Sequence, residues 1–195
     1  VMILLLGFFS QQEIKAGETN ERRYSRTYSV LSANVGNSKD PLLRTARLKL
    51  QPNSDEEKKV ITGIKELKPD ILILIEASSR DQVLRICNGT GESYFVPDGQ
   101  YDFVCVKKEI GDVIKHVPMP EDGPYEKYKG NSVGYVDVGL KDENGRKVRL
   151  FYAHFPSPQG PFSSEEHTTH KNAFNWICEN LNSDIPCLIG GDLNN

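Results

Sequence analysis

The chain has 195 residues, of which 37% are hydrophobic and 26% charged, enough apolar material for one substantial core and the composition of an ordinary globular domain. Its formal net charge of −3 and pI near 5.9 exclude a strongly basic, polyanion-seeking protein, so contact with nucleic acid would need a local basic patch or bound cations. The four cysteines, Cys87, Cys105, Cys178 and Cys187, lack the close paired spacing of zinc sites; free buried thiols are expected, with disulfides through Cys105 and Cys187 the alternative in an exported protein.

Val1 to Phe9 is an apolar run, too short to span a bilayer but suited to the hydrophobic stretch of a secretory signal, with a processing site around Ile14-Lys15-Ala16. The expectation is a leader over residues 1–16, removed on export to the periplasm or the outside of the cell. The alternative is a buried first strand of a cytoplasmic protein. Residues 17–26 are polar and without apolar periodicity, a linker, and the folded domain is expected over residues 27–195.

Thr27 to Asn34 (TYSVLSAN) reads as a core strand ended by Gly36-Asn37-Ser38. Ser54 followed by Glu57 is a capping-box pattern, and Val60, Ile61, Ile64 and Leu67 recur at helical spacing behind it, predicting a helix from Ser54 to Lys68 that Pro69 stops. Asp70 to Glu76 (DILILIE) is nearly continuous in apolar residues, as in a strand buried on both faces. A short helix over Asp81 to Cys87 and strands over Tyr94–Val96, Tyr101–Lys107 and Val133–Leu140 follow. The Asn-Gly in Asp142 to Arg146 predicts that Val133–Leu140 pairs with Val148–Phe155 as a hairpin. Phe174, Ile177, Cys178 and Leu181 give an amphipathic helix over 163–182, and Ile185 to Ile189 leads as a strand into Gly190-Gly191-Asp192-Leu193-Asn194-Asn195. Helices alternating with buried strands imply a layered α/β domain.

Polar groups leave three separate apolar runs: Glu76 after DILILI, His154 after VRLFYA, and Asp192 with Asn194 after PCLIGG. Strand ends are where a layered scaffold can bring together residues distant in sequence. With Asn34 in SANVGN, Glu76 in PDILILIEAS, His154 in FYAHFPS and the GGDLNN segment, the chain resembles the endonuclease/exonuclease/phosphatase family over residues 27–195. That family includes pancreatic-type deoxyribonucleases, abasic-site endonucleases, inositol polyphosphate phosphatases and bacterial sphingomyelinases.

The resemblance implies a two-sheet α/β sandwich and a divalent-cation-dependent hydrolase of phosphoesters, with Mg²⁺ the expected cation and Mn²⁺ or Ca²⁺ as alternatives. Nucleic acid, inositol phosphates and phospholipid headgroups are all substrate classes it admits. Glu76 fits as carboxylate ligand to a hard cation, and Asn34 as an amide donor or a support of the metal shell. His154 can donate to a phosphate oxygen. The resemblance further implies that Asp192 and Asn194 orient the attacking water and stabilise the transition state.

Two departures from the family pattern touch the same places. Tyr152-Ala153 replaces the usual Asn-Thr before the motif histidine, and Ile75 replaces the usual Gln before the metal-binding Glu. The family's closing Ser-Asp-His segment has no counterpart in the sequence, so the chain is expected to be a fragment, inactive by itself and with uncovered sheet edges. The rival reading is a catalytically dead family member serving as a binding or scaffold module. His167 and His170 beside Glu165 and Glu166 read as a solvated helix face, and Lys107, Lys108, Lys127 and Lys129 as solubilising surface or phosphate contacts.

Overall fold

The structure is a computed structural model that describes residues 5–8, 28–35, 52–77, 79–97, 102–120, 133–142, 144–155, 164–182 and 184–192. In chain order these form β1 (Leu5–Phe8), β2 (Ser29–Asn34), α1 (Asp55–Leu67), β3 (Ile71–Ile75), α2 (Arg80–Thr90), β4 (Tyr94–Phe95), β5 (Phe103–Lys107), β6 (Gly111–Pro118), β7 (Val133–Leu140), β8 (Lys147–His154), α3 (Ser164–Glu179) and β9 (Cys187–Asp192).

The ends of the first two helices follow from local chemistry. The Ser54 hydroxyl accepts from the Glu57 N–H at 3.1 Å while the Glu57 carboxylate accepts the Asn53 N–H at 3.1 Å, so donors left over by the first turn are satisfied. Lys68 closes α1 in a left-handed conformation, φ 46°, and Pro69 prevents continuation. Ser79 caps α2 by accepting from the Gln82 N–H at 3.2 Å, and Gly91 ends it at φ 81°.

The strands form two sheets. One has the order β1-β2-β3-β5-β4 and the other β6-β7-β8-β9. Each holds one parallel pair, β2 with β3 and β8 with β9, and their other pairings are antiparallel. The expected hairpin is present: Val136 lies opposite Leu150, and the turn closes with Gly145 at φ 56° and its N–H donated to the Asp142 carbonyl at 3.1 Å.

Alternation along the strands builds four layers. Leu72 and Leu74 of β3 join Leu31, Phe103 and Cys105 against Ile64 of α1 and Val83 and Ile86 of α2. Ile71, Ile73 and Ile75 point the other way, onto Val136, Val138, Leu150 and Tyr152 of the second sheet. That sheet's far face, Tyr135, Phe151 and Ala153, is covered by Ala173, Trp176 and Ile177 of α3. Every residue of β3 is buried, and each such side chain contributes about 1.5–3 kcal/mol relative to exposure. The fold is therefore the expected two-sheet α/β sandwich, with helices outside both sheets.

Several expectations are adjusted. The strand β6 carries polar and charged residues (GDVIKHVP) and a register irregularity between Val113 and Lys115, which hides its period-two pattern. Gly190 and Gly191 lie inside β9 rather than beyond it. Leu5–Phe8 pairs antiparallel with β2 at the edge of its sheet. The linker over 17–26 lies outside the described residues. The cysteines are free, but only Cys87 and Cys105 are buried, with Cys178 exposed and Cys187 half-buried. Among the described residues no helix is long and apolar enough to cross a membrane.

Candidate active site

Parallel pairing brings the C-terminal ends of β2 and β3 together, and likewise those of β8 and β9. Asn34 lies opposite Ile75, one residue before Glu76, and His154 lies opposite Asp192. Two further backbone bonds fix these ends, from the Val35 N–H to the Ile75 carbonyl and from the Phe155 N–H to the Asp192 carbonyl, both 2.9 Å.

The two pairs of strand ends then meet across the sandwich. Asn34 Nδ2 donates to Asp192 Oδ2 at 2.9 Å, linking residues 158 positions apart. His154 Nε2 lies 3.1 Å from Glu76 Oε1, with the His154 side chain 13% exposed and that of Glu76 32%. Four of the five residues singled out by sequence thus converge on one rim of the inter-sheet core. The fifth, Asn194, lies outside the described residues.

The structure adds a residue that the sequence reading missed. Asp102, immediately before β5 and 4% exposed, accepts the Glu76 N–H through Oδ1 at 2.8 Å. Glu76 stands at φ 59°, a left-handed conformation that costs a non-glycine residue about 1–2 kcal/mol, and the Asp102 bond holds it there. Asp102 Oδ2 is buried with no hydrogen-bond partner among the described residues. The place of Asp102 follows from tertiary pairing that no local sequence pattern marks: β5 runs antiparallel to β3, so an acid preceding β5 sits at the same rim as an acid following β3.

Charge is unevenly distributed at this rim. Burial raises the Asp102 carboxyl to about 7; the Glu76 N–H and His154 work against this, while Glu76 and Asp192 add to it. Burial pulls His154 down, but its bond to Glu76 and the charges of Asp102, Glu76 and Asp192 outweigh that and leave it raised. Tyr152, at the position that departs from the family pattern, faces the inter-sheet core with its hydroxyl 2.8 Å from His116 Nε2. Burial and the Asp102 charge raise its pKa.

Other candidates fall elsewhere. His170 stacks on Phe155 at 5.0 Å between ring centroids. Lys107 is buried at the opposite rim, where its ammonium donates to the Lys68 carbonyl at 3.2 Å and lies 3.7 Å from Glu92, so it is not a phosphate contact of this site. Lys108 lies beside it, its carbonyl accepting from Lys141 Nζ at 2.7 Å. Lys127 and Lys129 lie outside the described residues. A mainly apolar cavity of about 370 Å³ also opens at that opposite rim, between Val30, Ile71, Leu140 and Leu188, and holds none of the site residues.

The donor set suits a hard cation: oxygen from Glu76, Asp102, Asn34 and Asp192, one oxygen of Asp102 being buried and unsatisfied. Among the described residues no group of three or more His, Cys, Asp or Glu side chains forms a ready-made cage. Mg²⁺ does not require one, since it binds through one or two carboxylates and retains waters.

No family model matches the sequence, and no curated protein matches it. Solved structures do. The chain is similar to zebrafish (D. rerio) TDP2 complexed with a single-strand DNA product, at 18% identity and a TM-score of 0.60, over 85% of this chain and 60% of that one. It is similar to an endonuclease/exonuclease/phosphatase family protein from Bacteroides thetaiotaomicron, at 14% identity and a TM-score of 0.53, over 70% of this chain and 54% of that one. A third is the catalytic domain of human Nocturnin with bound sulfate, at 15% identity and a TM-score of 0.55, over 76% and 60% of the two chains. The chain has the endonuclease/exonuclease/phosphatase fold and spans between half and two thirds of the length of these structures.

Proposed function

We propose that this chain carries active-site residues of a divalent-cation-dependent phosphoester hydrolase, placed at its strand ends. The observation that carries the reading is the meeting of Asn34, Glu76, His154 and Asp192 at one rim, through an Asn34–Asp192 bond of 2.9 Å and a His154–Glu76 contact of 3.1 Å. Three carboxylates, those of Glu76, Asp102 and Asp192, share this rim with the His154 imidazole. Such a site repels a phosphate by itself, and a bound cation reverses that.

In this reading Glu76 holds the cation. When bound, the cation supplies Lewis-acid polarisation of a phosphoryl oxygen and acidifies a water. Asp192, oriented by the Asn34 amide, positions the attacking water. His154, whose protonated form the neighbouring carboxylates favour, donates to a phosphate oxygen, and Asn194 adds a donor to developing charge. Nucleic acid is one substrate class in view, since a structural neighbour is bound to a DNA product. For localisation we infer export, with the apolar run at residues 1–9 as leader; against it stands the pairing of Leu5–Phe8 with β2.

The test uses the full-length protein on bis(p-nitrophenyl) phosphate and p-nitrophenyl phosphate. Activity is expected to vanish in EDTA and return with Mg²⁺ or Mn²⁺. Asp192→Asn is expected to lower the single-turnover rate by about 10²-fold or more while substrate affinity holds. Chelator-insensitive hydrolysis, or an Asp192→Asn rate near that of the unaltered protein, would overturn the reading. Absence of any hydrolysis would favour the scaffold alternative.

A further inference from the structure

Asp102 does more than a structural acceptor needs to do. One oxygen, Oδ1, is enough to hold the Glu76 N–H at 2.8 Å, and an Asn side chain would do that without charge. The second oxygen is buried and has no donor among the described residues, in a residue 4% exposed. A buried carboxylate oxygen without a donor keeps its desolvation penalty with nothing to offset it. Nearby charges are poorly matched to it: Glu76 and Asp192 repel it and His154 attracts it, while His154 is itself engaged with Glu76 at 3.1 Å. A divalent cation resolves all of these at once, in place of the proton that burial otherwise keeps on Asp102.

We propose that Asp102 is the second acid of the cation site, Oδ1 fixing the turn that carries Glu76 and Oδ2 binding the divalent cation alongside the Glu76 carboxylate. This rests on the phosphoester-hydrolase reading above and extends it to a residue outside the four motifs that carry that reading. The assignment explains two features together. Glu76 adopts φ 59° because its N–H must reach an acid at the entrance of β5, and that acid keeps an open oxygen because its partner is a ligand.

The experiment is a titration of the metal-free full-length protein with MnCl₂ alone, followed by calorimetry and by the Mn²⁺ electron paramagnetic resonance signal, with the thermal midpoint measured with and without Mn²⁺. Asp102→Asn keeps an acceptor for the Glu76 N–H and removes the charge. It is expected to weaken Mn²⁺ affinity about 10- to 100-fold, to abolish the Mn²⁺-induced rise in midpoint, and to leave the metal-free midpoint equal or higher. Unchanged Mn²⁺ affinity in Asp102→Asn would make Asp102 a structural acceptor only and overturn the proposal. So would failure of that variant to fold without metal, because the carboxylate would then be required for the fold itself. Glu76→Gln separates the two readings. If it binds Mn²⁺ normally while Asp102→Asn does not, the role given to Glu76 fails and that of Asp102 stands. If the unaltered protein binds no Mn²⁺, both fail.

Discussion

Gly190 and Gly191 are adjacent in β9, yet a side chain at each would meet a different kind of obstacle. A Cβ at Gly190 would lie 2.5 Å from Ile73 Cδ1, with its next neighbours 3.8 Å away, so the clash is with the tip of one flexible side chain. At Gly191 the backbone stands at φ 145°, and a Cβ would run into the Ala153 carbonyl oxygen, with Ala153 C and N at 2.8 Å. Gly190→Ala is therefore expected to destabilise the full-length protein by about 1–3 kcal/mol through overpacking. Ile73→Val, which removes the clashing Cδ1, costs about 0.5–1.5 kcal/mol on its own. Their combination should cost less than the sum by about 1 kcal/mol, since the residues touch. Gly191→Ala should cost more than Gly190→Ala, because strain of about 1–3 kcal/mol adds to loss of β8–β9 pairing, and Ile73→Val should not relieve it. Urea unfolding of the five proteins at constant m-value measures this. Additivity of Gly190→Ala and Ile73→Val within about 0.3 kcal/mol, or a Gly191→Ala cost within about 0.5 kcal/mol of zero, would mean that β9 does not lie over Ile73, and the placement of Asp192 beside Asn34 would fall with it.

Two further outcomes are expected. The folded state holds a proton on Asp102 up to about pH 7 where an ordinary aspartate loses it near 3.8, so the native protein binds more protons in that window and the metal-free protein loses stability as pH rises from about 4 to about 7. His154, raised above 6.5, adds stability that is complete below 6.5 and lost as pH rises through its folded value; denaturant midpoints in EDTA across this range should fall, and an Asp102→Asn profile with the same slope as the unaltered protein would contradict the Asp102 part. Arg149 is bidentate to Asp137 at 2.6 and 2.8 Å, with both side chains under 10% exposed, and donates to the Asn180 carbonyl at the end of α3 at 2.6 Å. Arg149→Met should therefore cost about 3–5 kcal/mol by stranding Asp137, and chemical denaturation should show part of that regained in the Arg149→Met, Asp137→Leu double variant.

Where the sequence was legible, a single local rule dominated. Ser54 and Glu57 marked the start of α1, the unbroken ILILI run marked a strand covered on both faces, and Asn144-Gly145 marked the β7–β8 turn, because capping, two-sided burial and turn conformation are each decided within a few residues. The four residues that meet at the rim stood out for a related reason: polar groups leaving apolar runs are conspicuous. β6 was not, since Lys115, His116 and the irregularity after Val113 break its alternation, and its strand state comes from pairing with β7. Asp102 escaped because its importance depends on β5 running antiparallel to β3, a tertiary fact. The role of Gly190 is likewise set by Ile73, more than a hundred positions away, and nothing near Gly190 announces it.

The position of the site follows from topology more than from any one residue. Two parallel pairs, one in each sheet, put the ends of β2, β3, β8 and β9 at one rim, and the antiparallel β5 begins there. Residues 188, 190 and 192 of β9 face the other sheet while 187 packs on the α3 side and 189 is exposed, so register decides which groups enter the rim. A slip of one residue between β8 and β9 would set Gly191 opposite His154 and turn Asp192 away from Asn34. Gly190 makes the correct register possible by letting β9 close onto Ile73, and Gly191 by letting it close onto Ala153. The two glycines before Asp192 are thus a condition of the rim's geometry, since without them the carboxylate could not be held 2.9 Å from the Asn34 amide.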